Sequence, residues 1–468
     1  MREYDVVILG AGSAGMSARR EVAKKTDNYR VFDAGKLGTT CARVGCMPSK
    51  VLIQAANDFY RKKAFAQEGI HGAESLSVNI PETLKHVRSL RDRFVRGVMG
   101  GMESWMETHL ERKYATFIDA NTLDVEGEKI RFKKAIVATG STPVVPPNFK
   151  EFSEFILTSD DLFEQEDLPK KMAVVGLGVI GIELGQALSR LGIEVVGINR
   201  RQCISAVTDE ELNKYICDKM CEELNINFTG VKELSKRDDT LIIDTFDGHR
   251  YEVGKVFMST GRSPNVEKCG LLNICNEVST KRLPLYDKQT FQLKEHPHIF
   301  FAGDVNGDKP ILHEASDEGK VCGYNAVRDE VTPFKSRVPL AITFSDPNIG
   351  YAGKTSAVLD EEGADYQIGR VSFEGQGRSI VKLKEIGLLK VYGDTKTGKL
   401  LGAEMFGPDI EHIAHLLAWA IGNEMTVNEA LSMPFYHPVI EEGLRTALRD
   451  LREKVQEKAP DLEIYPVI

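Results

Sequence analysis

The run TTCARVGCMPSK places two cysteines, Cys41 and Cys46, five positions apart and just ahead of Pro48, Ser49 and Lys50. Two sulfurs this close can pass an electron pair, because a thiolate attacks a disulfide sulfur and a second thiol resolves the mixed disulfide. In a regular helix, Cα atoms five residues apart stand roughly 8.6 Å from one another by helix rise and radius. That exceeds the limit of about 7 Å for a bridge. A bridged pair therefore needs a distorted segment, and strained bridges are the more easily reduced ones. Closing so small a ring removes little chain entropy. The spacing fits a redox switch better than a structural staple, although in a reducing compartment two such cysteines are more often free thiols.

Thiol–disulfide exchange also needs a group that moves a proton near neutrality. Of the ten histidines, His437 in FYHPVIEE stands out. Pro438 restricts the backbone beside it, and Glu441 or Glu442 can hold its second ring nitrogen. A loop histidine before proline is, taken alone, more often a structural residue with its hydrogen bonds made.

Two nucleotide units have to position these groups. DVVIL at residues 5–9 is a short apolar run that predicts a buried parallel strand, and GAGSAG then opens a helix with Gly10, Gly12 and Gly15. Asp33, closing the next strand about twenty residues on, is placed to bond a ribose hydroxyl. The pattern is repeated in MAVVGLGVIGIELGQALSRLGIEVVGINRR, with Gly176, Gly178 and Gly181. Each set of glycines lets backbone approach a pyrophosphate at a helix N-terminus. Two units imply two dinucleotides, one passing electrons to the other. The second unit ends in Asn199, Arg200 and Arg201. An acid there bonds a ribose 2′-hydroxyl, whereas arginines pair with a 2′-phosphate. A solvated basic turn is the alternative.

KKAIVATGSTPVVPP, KVFMSTGRSPN and HIFFAGDVNG each predict a strand ending in a glycine turn and returning to a shared sheet. Pro143, Pro146 and Pro147 mark a crossing between domains. From about residue 336 the pattern changes to strands (VPLAITFSD, GLLKVYG, LLGAEMFG) and the helical stretch IEHIAHLLAWAIG. The expected division is 1–147 for the first dinucleotide, 148–265 for the second, 266–335 returning to the first domain, and 336–468 as a separate C-terminal domain. A chain of 468 residues exceeds one hydrophobic core and calls for such a division. No apolar stretch reaches the roughly 20 residues of a membrane span, and the N-terminus enters a strand directly, so a cytoplasmic location is expected. The net charge of −9 with signs interspersed argues against nucleic acid. Eight cysteines are too few for a stapled scaffold, and Cys217, Cys269 and Cys322 sit in apolar or helical contexts as expected of buried thiols. Cys217 and Cys221 lack a second ligand pair at zinc spacing, and no metal site is expected.

With these motifs in place, the chain resembles the class I pyridine nucleotide-disulfide oxidoreductases over essentially its whole length. Their shared motif has two cysteines separated by four residues, a hydrophobe, Pro, and Ser-Lys or Lys-Lys, which CARVGCMPSK matches. The resemblance implies an α/β fold with two Rossmann-like domains, for FAD and for NAD or NADP, and a C-terminal α+β dimerisation domain. It makes Cys41 the interchange thiol and Cys46 the charge-transfer thiol of a redox disulfide, with Lys50 near the flavin's reactive nitrogen. Thr139 and Gly140 of ATG, Asp304 of FAGDV, Ala315 within HEASDEG (His313 to Gly319) and Gly261 are implied at the cofactors. The family ends in His-Pro with a glutamate five positions after the histidine, which selects Glu442 as the partner of His437. That pair serves the cysteines of a second subunit, implying a homodimer.

Pro-Ser-Lys is nearest to the dihydrolipoamide dehydrogenase branch, implying lipoamide as substrate and a lipoyl-bearing multienzyme complex as a potential partner. The ending DLEIYPVI carries no vicinal cysteines of the mercuric reductase kind. The alternatives are an NADPH-dependent reductase of another small disulfide, a mercuric-reductase-like enzyme, or a non-catalytic redox-responsive flavoprotein. Ala42 and Arg43 depart from the usual Leu-Asn, and Thr39-Thr40 from Gly-Thr. The added cation is expected to lower a nearby thiol's pKa or to reshape substrate access.

Overall fold

Val6 to Leu9 are at most 2% exposed, as a strand with parallel neighbours on both sides must be. This strand, β1 (Arg2–Leu9), pairs in parallel with β2 (Tyr29–Phe32), Val6 opposite Tyr29. On its other side lies strand Glu128–Val137, with Val7 opposite Ala135. Helix α1 (Ser13–Val22) makes the crossover from β1 to β2. The far side of Glu128–Val137 takes two partners: Thr122–Val125 runs antiparallel to its start, and Ile299–Phe301 runs parallel to its last three residues. That late strand carries Gly303 and Asp304 to the end of the first sheet. The computed structural model describes residues 1–276, 278–279, 282–458, 460 and 462–464, so the last four residues of the cysteine-free ending lie outside them.

A second, all-parallel sheet is ordered Asn225–Asn227, Glu194–Ile198, Lys171–Val175, Lys255–Met258, Ile156–Leu157. Helix Val179–Arg190 connects its two central glycine-unit strands. Where the chain leaves the first sheet for the second and where it comes back, Ser141–Pro143 and Arg262–Pro264 pair antiparallel. The third sheet is antiparallel, in the order Leu340–Thr343, Asn348–Gly353, Leu400–Gly407, Leu388–Asp394, Tyr366–Ser372. It shares a core with helices Ile410–Gly422 and Glu442–Arg452. No helix among the described residues is long and apolar enough to cross a membrane.

One buried arginine ties these units to the cysteine segment. Arg190, its side chain 3% exposed, donates to Glu223 at 2.6 Å, to Asp346 at 2.7 Å and to the Asn57 side chain at 2.7 Å. Asn57 lies on helix α3 (Cys46–Tyr60), which follows the five-residue helix α2 (Thr40–Val44). Removing one partner of such a buried pair costs roughly 3–5 kcal/mol. Helix α3, which begins at Cys46, is thereby tied near its C-terminal end to helix Val179–Arg190 of the second unit.

Candidate active site

Each nucleotide unit is built so tightly that its first and third glycines have no substitutes. A Cβ on Gly10, whose φ is +107°, would stand 2.3 Å from the Ala138 carbonyl oxygen, and one on Gly15 would stand 1.9 Å from that of Gly10. Gly12 faces open space, with nothing within 4 Å. The second unit repeats this: Gly176 against Ser259, Gly181 against Gly176, and Gly178 open. Gly12 and Gly178 both open into one cavity of about 1450 Å³ that passes the two cysteines. Single drug-sized ligands occupy roughly 300–1,000 Å³, so this volume and the two open glycine cradles fit FAD together with a pyridine nucleotide.

The other residues expected at the cofactors divide. Gly140, Gly261, Asp304, Ala315, Asn199, Arg200 and Lys50 line the cavity. Asp304 accepts from the Ser141 hydroxyl at 2.7 Å. Thr139 does not form the wall; its hydroxyl donates to the Asn265 carbonyl at 2.8 Å and holds the crossing. Asp33 accepts from the backbone N–H groups of Ala11 and Gly35, each at 2.7 Å, and so braces the glycine turn. Asn199 spends its side-chain amide N–H groups on the carbonyls of Arg201 and Cys203. Arg201 is exposed and lies outside the cavity wall.

The cysteines meet because the helix breaks between them. α2 starts at Thr39, whose side chain accepts from the Ala42 N–H, and ends at Gly45, with φ −119° and ψ −121° before α3 begins at Cys46. A Cβ on Gly45 would lie 3.1 Å from the Thr40 carbonyl oxygen and 3.2 Å from the Cys41 Cα, tighter than most Cβ contacts, so the backbone there would have to give by a few tenths of an ångström. Both cysteines are free thiols in the structure, as in the reduced form of a redox pair. The Cys41 thiol hydrogen-bonds to the Cys46 sulfur, which pulls Cys46 down to about 7, with the Lys50 charge assisting against burial. The same shared proton and burial push Cys41 up. The pair is thus asymmetric, a Cys46 thiolate facing a protonated Cys41.

The cation acting on Cys46 is Lys50, not Arg43. The Arg43 side chain lies along Gly38, near Val95, and its buried Nε has no hydrogen-bond partner among the described residues. The asymmetry sets an expected result. Alkylation of the reduced enzyme by iodoacetamide should rise with pH with a midpoint near 7 at Cys46, and mapping the label by peptide mass identifies the site. A midpoint near the ordinary thiol range of about 8.5 contradicts the pairing.

Two acidic residues unforeseen in the sequence complete the site. Glu183 on helix Val179–Arg190 is 4% exposed; one oxygen takes Lys50 Nζ at 2.7 Å and the other accepts from the Phe344 N–H at 2.7 Å. It joins the cysteine helix, the second nucleotide unit and the C-terminal domain. A lone charge in the apolar run VIGIELG was the available signal. Glu318 accepts from Gly303 N–H at 2.6 Å and from the Asn306 amide at 2.7 Å, shaping the turn that presents Asp304, and burial pushes it up to about 7.

His437 and Glu442 come together as expected. Glu442 contacts Nδ1 of the imidazole at 2.9 and 3.1 Å through its two oxygens, and that hydrogen bond holds its carboxyl below the usual range. The carboxylate can only accept, so Nδ1 carries the proton and Nε2 keeps the lone pair of a base. The His437 side chain is 80% exposed and does not line the cavity of its own chain. The fold therefore gathers the cysteines, Lys50 and both nucleotide units, and leaves the histidine facing outward.

Comparison with known proteins decides the family. The sequence profile described as pyridine nucleotide-disulphide oxidoreductase matches residues 4–319, and that of the corresponding dimerisation domain matches residues 339–448. The chain belongs to the pyridine nucleotide-disulphide oxidoreductases. Such an enzyme uses FAD and NAD(H) to exchange electrons with a dithiol. A dihydrolipoyl dehydrogenase of Bacillus subtilis is 29% identical over 451 residues, covering 94% of each chain, and one of Haloferax volcanii is 29% identical over 462 residues, covering 95% of each. Among solved structures, LpdA of Mycobacterium tuberculosis superposes with a TM-score of 0.82 at 21% identity, covering 96% of this chain and all of that one. The Cu(II) complex of the HOCl-induced flavoprotein disulfide reductase RclA of Escherichia coli gives 0.82 at 19% identity, covering 97% and 99%. At these identities the structures establish the fold of this oxidoreductase family for the chain.

Proposed function

We propose that this oxidoreductase is a dihydrolipoamide dehydrogenase working as a homodimer, in which His437 of one chain serves the cysteines of the other. The observation that carries the reading is the asymmetric Cys41/Cys46 pair beside Lys50, on the wall of a cavity that also holds both glycine cradles. The relatives named dihydrolipoyl dehydrogenase over 94–95% of the chain support the substrate.

In the oxidised enzyme Cys41 and Cys46 form a disulfide. His437 Nε2 removes a proton from one thiol of dihydrolipoamide, and the resulting thiolate attacks Cys41 Sγ, displacing Cys46 as a thiolate. The second substrate thiol attacks the substrate sulfur of the mixed disulfide and its proton passes to the departing Cys41 sulfur, releasing lipoamide and returning Cys41 as a thiol while His437 keeps the first proton. Two electrons and two protons have left the substrate; the protein holds them as a Cys46 thiolate, a Cys41 thiol and a protonated base. FAD held at Gly12, Gly140 and Asp304 would supply the two-electron relay between the Cys46 sulfur and a pyridine nucleotide held at Gly178. Lys50, neutralised by Glu183, stabilises the thiolate that faces the cofactor. Assays pairing NAD, NADP and their reduced forms with lipoamide, oxidised glutathione and mercuric ion test this. Preferred turnover of lipoamide is expected, and faster reduction of glutathione or mercuric ion overturns it.

The wall at the second unit favours some use of NADP. Arg200 lines the cavity with no ion pair among the described residues, and Asn199 stands where a carboxylate would repel a 2′-phosphate. Arg200→Ala is expected to lower kcat/KM for NADP at least tenfold, on the order of one lost charge-assisted hydrogen bond of about 1.5–3 kcal/mol, with NAD changed less than threefold. Equal losses for both nucleotides contradict a 2′-phosphate contact.

A further inference from the structure

Away from the cavity, Cys275, Glu295 and His296 each bring one ligand atom to within 4.8 Å of the others. Cys275 follows the short turn Leu271–Asn273 and is 4% exposed, at the edge of the first domain's core. Glu295 is exposed and His296 half-buried, so the trio is open on one side.

Two of the three side chains are already anchored. His296 Nε2 must donate to the Ile274 carbonyl at 2.5 Å, which leaves Nδ1 with its lone pair. Metal-binding histidines characteristically give their other ring N–H to such a carbonyl, fixing ring and tautomer. Glu295 Oε2 accepts from the backbone and side-chain N–H groups of Asn276, at 3.4 and 3.3 Å. A thiol, an imidazole and a carboxylate in one pocket are a mixed donor set. Magnesium and calcium prefer oxygen shells, whereas S/N/O sets suit zinc-like ions.

We propose that Cys275, Glu295 and His296 bind a divalent cation of the zinc class, with a solvent oxygen as fourth ligand. Metal–ligand bonds of about 2.0–2.3 Å place tetrahedral ligand atoms roughly 3.3–3.8 Å apart. The trio closes by up to about 1.5 Å on binding, and the exposed Glu295 side chain has the freedom to do so. Binding forms one bond each to sulfur, nitrogen and oxygen and releases the Cys275 proton to solvent, with no change of oxidation state. The ion ties the segment after Cys275 to the approach of Ile299–Phe301, the strand that delivers Asp304 to the cavity. It is a clip outside the redox chemistry, closing a loop of about twenty residues.

The test uses the FAD-loaded C41S/C46S protein, which removes the redox pair as a competing metal site. After chelator treatment it is titrated with cobalt(II), whose tetrahedral thiolate complexes absorb beyond the flavin bands. One equivalent per chain is expected, with the band lost on adding C275S or H296A. E295Q, at an exposed position, is expected to bind at least tenfold more weakly while retaining its FAD. No cobalt band in C41S/C46S, or a band that survives both C275S and H296A, overturns the proposal.

Discussion

Replacing His437 by glutamine is expected to lower dihydrolipoamide oxidation by roughly two to four orders of magnitude, the range a positioned acid–base group contributes. The size of the loss depends on which ring nitrogen is free. Glu442 accepts from Nδ1, so Nε2 alone can take the substrate proton, and glutamine offers no lone pair of comparable basicity. The loss should fall on kcat with lipoamide and spare oxidation of NADH by a one-electron dye, which bypasses the cysteines. Glu442→Gln keeps the shape but removes the charge that fixes the tautomer, and a smaller loss in the same direction is expected. Stopped-flow reduction by dihydrolipoamide, followed at the flavin, measures the affected step. A His437→Gln enzyme within threefold of wild type removes histidine from the mechanism.

Cys46→Ser is expected to abolish lipoamide turnover to background. With serine there, no disulfide forms, and the Cys41 thiol also loses the sulfur that accepts its hydrogen bond. Cys41→Ser should be equally inactive but spectrally different: Cys46 remains beside Lys50, and its thiolate can still perturb the bound flavin, whereas Cys46→Ser lacks that absorbance. Without the hydrogen bond from Cys41, the largest influence lowering Cys46, its titration should move upward from about 7. Identical spectra and titrations in the two variants contradict the assigned roles.

The glycine units were legible because their contacts are dictated by backbone chemistry alone: no side chain fits between Gly15 and the Gly10 carbonyl, or between Gly181 and that of Gly176. The helix IEHIAHLLAWAIG appears as Ile410–Gly422 because its apolar stripe has one core to meet. The requirement for distortion between the cysteines followed from helix geometry, yet its form, a break at Gly45 with a helix on either side, depends on close contact with Thr40 and Cys41. Glu183 escaped notice because its partner Lys50 lies 133 positions earlier. Arg43 drew attention through its charge, but its side chain runs toward Gly38 while the more distant Lys50 acts on the thiolate. The 21-residue helix Ile80–Gly100, which packs on α2 and α3, carries no chemical motif to announce it. Cys275 likewise meets Glu295 and His296 across a loop of about twenty residues.

Mixing two inactive chains tests most directly whether the cysteines and the base come from different subunits. One carries Cys41→Ser and Cys46→Ser with His437 intact, and the other carries His437→Gln with both cysteines intact. After dissociation and random reassociation, half the dimers are mixed, and in each the intact cysteines of one chain face the intact histidine of the other at one of two sites. The account predicts recovery of about a quarter of wild-type lipoamide turnover, as two-fold symmetry requires. No recovery in dimers shown to be mixed contradicts it, because a site built within one chain stays broken in every combination.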